Sequence, residues 1–444
     1  MGNDVLETTV GEYLIQNGGF VKTGPFGTVL KANEYASTGV PLISVREVGY
    51  GSLRVDSSTP RVSTEVTDRL PEYILRHGDI VFGRKGAVDR SAHIKESEDG
   101  WFLGSDGIML RLPSTCDSSF IAYQVQSPQT KNWLIQNSTG STMASLSQGI
   151  INRIPLRIPP LPIQKAIAHI LGTLDDKIEL LRSMNETLEA MARALFKSWF
   201  IDFDPVHKKT EGQPTGLPSE IDALFPDSFV DSELGEMPKG WNLGQISDYG
   251  IAVNDQILPD AMTGEEYYIG LEHIPRQSIS IYDWDVSESV ESNKSKFHEN
   301  DVLFGKLRPY FHKVVIAPVS GVCSTDILVI RPKNTESLGF LLLHLSSKEV
   351  IEYTTSFSNG TKMPRTNWGD LGSFKLVAPP RGLIFHYNIV VSEMLKTIKN
   401  DIFEMKSLSL IRDSLLPRLI SGEIELSDKA ISKIMEPANE HRTH

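Results

Sequence analysis

The chain has 444 residues, 40% apolar and 23% charged, with a net charge of −12. That length is too great for one ordinary core and calls for two or more domains of globular composition. No run approaches the roughly 18 apolar residues of a membrane span, two cysteines (Cys116, Cys323) make neither a disulfide framework nor a zinc cluster, and the acidic balance lacks the basic footprint of a simple nucleic-acid binder.

In chain order, the opening MGNDVLETTVGEYL has neither the basic start nor the apolar core of a secretion signal, so a cytoplasmic location is expected. VPLISVREV (40–48), DIVFG (79–83) and GIMLRL (107–112) are short, β-branched and bounded by turn formers, which is the signature of strands. The stretch FGRKGAVDR supplies Arg84, Lys85 and Arg90, and Gly83 within it is read as a turn residue. A Gly/Ser/Thr loop, GSTMASLS (140–147), leads to a Pro-Pro pair at 159–160, where a helix is expected to start.

The helix that follows carries apolar residues at Ile167, Leu171, Leu174, Ile178, Leu181, Leu188, Ala192, Leu195 and Trp199, with steps of four and three. Asn185 fills the slot between Leu181 and Leu188. Such a seam predicts a coiled-coil helix about 50 Å long. Residues 202–236 then hold nine Asp or Glu against two Lys, so more than half of the net charge sits in one short segment. The basic side chains elsewhere are free to form a face of their own. With KKTEGQPTGLPSE and ELGEMPKGW in it, 203–240 reads as a surface-hugging connector.

The second half repeats the plan. EYYIGLEHI (266–274), DVLFG (301–305) and DILVIR (326–331) read as strands, and FGKLRPYFHK supplies Lys306, Arg308 and Lys313, with Gly305 again read as a turn residue. A second seam has Val391, Leu395, Ile398, Ile402 and Met405, weakens at Ser409 and Arg412, and resumes at Leu415 and Leu416. SDKAISKIMEPANEHRTH reads as a short helix with a frayed tail.

The repetition is also visible residue by residue. HGDIVFGRKG (77–86) matches ENDVLFGKLR (299–308) through Asp79, Phe82, Gly83 and Arg84 against Asp301, Phe304, Gly305 and Lys306, an offset of 222. GSDGIMLR (104–111) matches STDILVIR (324–331), and GSTMASLSQGIINRIPLRIPP (140–160) matches GTKMPRTNWGDLGSFKLVAPP (360–380), both at 220. The expected fold is therefore mixed α+β: two similar domains with two long helices. Two seams of similar length in one chain are expected to pair antiparallel with each other; pairing between chains is the competing use. Asn185 would fix the register at a cost in stability, or else lie solvated beside an imperfect seam.

No phosphate loop, dinucleotide fingerprint, nucleophile elbow or zinc-protease motif is present. IPPL (158–161) lacks the Asp or Asn before Pro-Pro of an adenine methylase pocket. Asp175-x-Lys177 and Glu404-x-Lys406 have the spacing of some nucleases but fall inside helical heptads, where solvated helix charges account for them. Duplication, rods and missing chemistry favour a recognition scaffold over a fused nuclease or methylase, or over a homodimeric scaffold unrelated to DNA.

PPLPIQKAIAHILGTLDDKIELLRSMNETLEAMARALFKSWFIDFDPV (159–206) resembles the central conserved region of the specificity subunit of type I restriction-modification enzymes. GSTMASLS is similar to that family's loop before the conserved helix, and DSLLPRLISGEIEL (413–426) resembles the end of its second conserved region. The resemblance implies target-recognition domains at 1–155 and 241–378, conserved spacer helices at 156–202 and 379–426, the connector at 203–240 and a tail at 427–444. It implies a non-catalytic subunit that reads a bipartite, asymmetric double-stranded DNA target and docks two methyltransferase subunits and, through them, restriction subunits. S-adenosylmethionine, ATP and Mg²⁺ would belong to those partners, with no metal or cofactor on this chain. The second half departs from the pattern: Arg381 and Gly382 replace Leu-Pro, no Gln follows, and the loop is NGTKMPRT. That departure bears on how the second methyltransferase docks.

Base edges are best read by Arg, Lys, Asn and Gln, while phosphate contacts position without specifying. The DNA-contact candidates are Arg84, Lys85, Arg90 and Thr142 in the first half and Lys306, Arg308, Lys313, Lys362 and Arg365 in the second. An ordinary solvated charge is the alternative for each.

Overall fold

The computed structural model describes residues 5–140, 142–356 and 364–436. The chain divides into two compact units, one of residues 1–178 with 407–444 and the other of residues 179–406.

In the first unit a five-stranded sheet runs in the order Phe20–Thr23, Gly107–Arg111, Ile80–Gly83, Ser91–His93, Tyr50–Gly51. Its central strands are apolar throughout because both faces are covered. Ile80, Phe82, Ile108 and Leu110 enter a core with Phe120 and Ile121 of the helix Ser118–Gln126. Val81 and Met109, pointing the other way as a period of two requires, join Ile43, Val48, Leu75 and Ile94 in a smaller core. The second unit repeats the frame: Gly250–Val253, Ile327–Pro332, Val302–Gly305, Val314–Ile316. Phe82 faces Ile108 across the ladder as Phe304 faces Leu328.

One difference is hidden in the sequence match. The hairpin of the first unit pairs Ile80 with His93, whereas that of the second pairs Val302 with Ile316. The second hairpin is therefore longer by one residue, and the stretch between it and the strand at Ile327 is shorter by three, which takes the offset from 222 to 220.

Two helices are far longer than the rest: Leu161–Phe200, of 40 residues, and Arg381–Ser421, of 41. Each begins directly after its Pro-Pro pair, and the first is tied down by Gln164. Its amide donates to the Pro159 carbonyl at 2.7 Å and accepts from the Asp117 amide at 2.9 Å. The second helix lacks that glutamine. Asn388 performs a similar tether, accepting from the Gly339 amide at 2.9 Å.

Within each unit the two long helices pair, and they run antiparallel. In the first unit Arg412 binds Asp175 at 2.7 Å, and Ile167 and Leu171 share a core with Leu416 and Leu419. In the second, Asn185 donates to the Ile398 carbonyl at 3.4 Å and Tyr387 to the Ala192 carbonyl at 3.2 Å. Ile167, Leu171, Leu181, Asn185, Val391, Leu395, Ile398, Ile402 and Met405 are buried, while Leu174, Ile178, Leu188 and Leu195 are half-buried. Beyond Asn185 the buried positions are Glu189, Ala192, Phe196, Trp199 and Phe200. A straight helix drifts about 20° per heptad from a 3.5-residue repeat, which moves the inner stripe one position on. Glu189 is satisfied there by the Ser278 hydroxyl at 2.9 Å and the Ile279 amide at 3.1 Å.

Two expectations change. The connector 203–240 is folded: it holds the helix Asp204–Thr210 and the hairpin Phe229–Ser232 with Gly235–Pro238, and Val206 and Phe225 enter the core of the second unit. Its few apolar side chains found a cavity to fill, which composition does not register. The helix charges are not simply solvated either. Asp175 also accepts from the Tyr123 hydroxyl at 2.6 Å, and the Lys406 ammonium sits 3.2 Å over the Trp284 ring.

The second unit also carries a buried histidine, His344, edge-on to Phe196 and Phe340 at 4.7 and 4.5 Å between ring centres. Burial pushes its pKa down from 6.5 to about 3. As pH falls below about 6.5 the unfolded chain takes up the proton and the folded one does not, so stability is full above that pH and lost below it. His344→Phe is expected to recover about 2 kcal/mol of that loss by pH 5. Denaturant midpoints of the second unit at pH 7.5 and 5 check this. His93 in the first unit, pushed down to about 4 by burial, keeps the acid sensitivity of that unit as an internal control.

Candidate nucleic-acid interface

In each unit the first strand of the hairpin ends at a glycine, and the reason is space rather than turn conformation. A Cβ on Gly83 would lie 2.7 Å from the Ala87 carbonyl oxygen, and one on Gly305 would lie 3.1 Å from Leu271. The left-handed turn position comes three residues later, at Gly86 (φ 76°) and at Arg308 (φ 50°). This corrects the reading of Gly83 and Gly305 as turn residues.

The hairpin is stitched to the Gly/Ser/Thr loop by the same bonds in both units. Arg84 N–H donates to the Asp106 carbonyl (2.9 Å), Leu146 N–H to Arg84 (2.8 Å) and Gly86 N–H to Ala144 (2.8 Å). In the second unit Lys306 donates to Asp326 (3.0 Å), Thr366 to Lys306 (3.0 Å) and Arg308 to Pro364 (2.8 Å). Arg84, Lys85, Arg90 and Thr142 are thereby gathered on one edge of the first unit, and Lys306, Arg308 and Arg365 on the matching edge of the second. Lys362 lies outside the described residues.

On this shared backbone the side-chain chemistry is exchanged. Asp106 is met by Lys85 from the hairpin at 3.2 Å, whereas Asp326 is met by Arg365 from the facing loop at 3.0 Å. In the first unit the ring belongs to Tyr50 and the cation to the hairpin, with the Arg90 guanidinium 5.5 Å from the ring centre. In the second the ring belongs to the hairpin, and Arg276 lies 4.2 Å from the centre of Phe311. Lys131 also covers Tyr50, at 4.8 Å, and Arg84 covers Phe26, at 4.6 Å. Burial holds the Lys131 ammonium below its ordinary pKa, partly offset by Asp89. Lys313 is turned inward onto the Leu271 carbonyl, and burial lowers its pKa too.

Sequence reasoning passed over Tyr50, Phe26, Lys131 and Arg276, since nothing in their spacing marks them. Asp106 and Asp326 stood in a matched block and could have been found there. What the arrangement offers is cations and aromatic faces on a fixed mount, suited to phosphates and base edges. Both thiols of the chain are buried, and burial raises Cys116 to about 11 and Cys323 to about 12. Among the described residues no group of three or more His, Cys, Asp or Glu is placed to hold a metal ion.

Comparison with known proteins agrees with the duplication. The family model for the type I restriction modification DNA specificity domain matches residues 16–190 and again 239–406. The chain is 28% identical over 345 residues to the type I restriction enzyme HindI specificity subunit of Haemophilus influenzae, covering 66% of this chain and 73% of that protein. It is 22% identical over 415 residues to the type I restriction enzyme MjaIX specificity subunit of Methanocaldococcus jannaschii, covering 90% of each. The crystal structure of the type I restriction-modification S subunit from M. genitalium has the same fold, with a TM-score of 0.54 at 15% identity over 94% of this chain and 96% of that one.

Proposed function

This chain belongs to the type I restriction-modification DNA specificity family, and we propose that it reads a bipartite, asymmetric target with one domain per half-site. As a specificity subunit it supplies recognition, and the chemistry lies with other subunits of the system. The observation that carries the reading is the twice-built hairpin-and-loop frame bearing different side chains. Asymmetric DNA requires two non-identical readers, and a diverged duplication supplies them in one chain.

In this reading 1–155 and 241–378 are the recognition domains. Arg84, Lys85, Arg90 and Thr142 face one half-site, with Lys306, Arg308, Lys362 and Arg365 facing the other. Lys313 positions the hairpin through Leu271. The long helices Leu161–Phe200 and Arg381–Ser421, which make up most of the spacer segments 156–202 and 379–426, form an intramolecular antiparallel coiled coil that sets the unread gap. Exposed apolar residues on them, Leu180, Met184 and Met191 on the first and Phe385 and Ile389 on the second, are of the kind that mark partner surfaces and suit two methyltransferase subunits. The acidic connector repels phosphate and lies off the DNA face. S-adenosylmethionine, ATP and Mg²⁺ serve the methyltransferase and restriction subunits. No helix of the described residues is long and apolar enough to cross a membrane, which fits a cytoplasmic complex.

A methylome tests this. The chain is expressed with the methyltransferase subunit of its own system in a host that lacks adenine methylation, and modified adenines are mapped by single-molecule sequencing. The expected motif is split and asymmetric, with a fixed gap. A short contiguous motif would mean that only one domain reads.

A further inference from the structure

We infer that Arg308 is a specificity-determining residue that reads a guanine in the half-site of the second domain, a contact for which the first domain has no equivalent. The inference rests on the two-reader function above.

The argument starts from a backbone position. Gly86 and Arg308 occupy the same point of the two frames, each donating its amide to the facing loop, to Ala144 and Pro364. Both are left-handed, at φ 76° and 50°. Glycine adopts that conformation freely, whereas an arginine is strained there because its Cβ crowds the following carbonyl. The frame itself is better served by glycine, as the first unit demonstrates. An arginine at this point is therefore explained by its guanidinium, not by its backbone.

The guanidinium is also left uncommitted. Of its basic neighbours, Lys313 is held by the Leu271 carbonyl and Arg365 by Asp326. Among the described residues no carboxylate pairs with Arg308, and its buried Nε has no hydrogen-bond partner. Its mount, in contrast, is fixed at several points. Phe311 N–H donates to Arg308 (2.9 Å), His312 N–H to Pro309 (2.8 Å) and Gln277 N–H to His312 (2.8 Å), and the His312 ring meets the Ser346 carbonyl at 2.9 Å. The Phe311 ring, already covered by Arg276, lies 5.9 Å beneath the Arg308 guanidinium, with Tyr310 half-exposed beside it. A phosphate contact needs only charge on a flexible stem. A strained, pinned turn with a planar fork matches the directional pair of acceptors, O6 and N7, on guanine.

The test compares the methylomes and melting curves of the intact chain, Arg308→Gly and Arg308→Lys, each with the methyltransferase subunit. For Arg308→Gly the expected result is a loss of about tenfold to a hundredfold discrimination at one guanine of one half-site. The other half-site and the gap stay the same, and the melting temperature is unchanged or higher. Arg308→Lys, which keeps the charge and loses the fork, should relax the same position. Full specificity in Arg308→Lys would make Arg308 a phosphate contact and overturn the inference. So would a lower melting temperature in Arg308→Gly, which would make the side chain structural, or an unchanged motif in both variants. A contiguous motif from the intact chain would instead overturn the two-reader premise.

Discussion

Replacing Arg331 by methionine is expected to destabilise the second unit by about 3–5 kcal/mol, more than replacing its partner Asp301 by asparagine. The two form a bidentate pair, Nε to Oδ1 at 2.8 Å and Nη2 to Oδ2 at 2.7 Å. The pair is lopsided: the carboxylate is 2% exposed and the guanidinium 34%. Removing the arginine strands a buried carboxylate with one backbone donor, His298 N–H at 2.7 Å. Removing the charge of Asp301 leaves an arginine that water already reaches. The first unit repeats the arrangement with Arg111, Asp79 and the Arg76 amide, at 2.6–2.8 Å throughout. Arg111→Met is therefore expected to act equally strongly on its own unit. Denaturant unfolding of all three variants checks the order. A cost below about 1 kcal/mol for Arg331→Met, the level of a surface pair, would show that the carboxylate is hydrated after all.

The second large effect is expected at the end of the first long helix. Phe200 is buried among Phe340 and Tyr387, each 5.0 Å away, with Phe196, Trp199 and Trp241 at 5.7, 6.1 and 6.4 Å. Phe200→Ala removes the centre of that aromatic cluster and should cost the second unit about 3–5 kcal/mol. Phe200→Leu, which fills most of the space, should cost less than half as much. Hydrogen exchange gives the readout by region: strands such as Val302–Gly305 should lose protection while Ile80–Gly83 keeps it. Equal loss in both would mean that the units unfold together and that the cluster is not local to one of them. The effect also gives a physical account of the run FKSWF (196–200) at the end of that helix, since three of its five residues are plugs in one core.

How much was legible in the sequence follows from which interactions are periodic. Each predicted strand run holds a strand, at Val40–Ile43, Ile80–Gly83, Gly107–Arg111, Tyr267–Ile269, Val302–Gly305 and Ile327–Pro332, because burial imposes a period on neighbours in the chain. The two long helices announced themselves through the same effect at a different period. The duplication was visible because the frame needs Asp79 and Asp301, and Gly83 and Gly305, at fixed points.

The tertiary structure alone decided what stands across those frames. Tyr50 meets Arg90 and Lys131, Lys85 meets Asp106, and Arg365 meets Asp326; these partners are tens of residues apart and obey no spacing rule. The connector took on core residues because space in the second unit was there for Val206 and Phe225, a fact about the other side of the contact. The extra residue in the second hairpin was hidden because a later three-residue deletion leaves only the net change of offset, from 222 to 220, visible in the matched blocks. The strain at Arg308 was hidden because a left-handed backbone shows in a sequence only when glycine occupies it. Local periodicity is written along the chain by burial and hydrogen bonding between near neighbours, so the sequence by itself determined the elements, their duplication and the family. Which side chains share a surface depends on loop closure between distant segments, and that was settled only by folding.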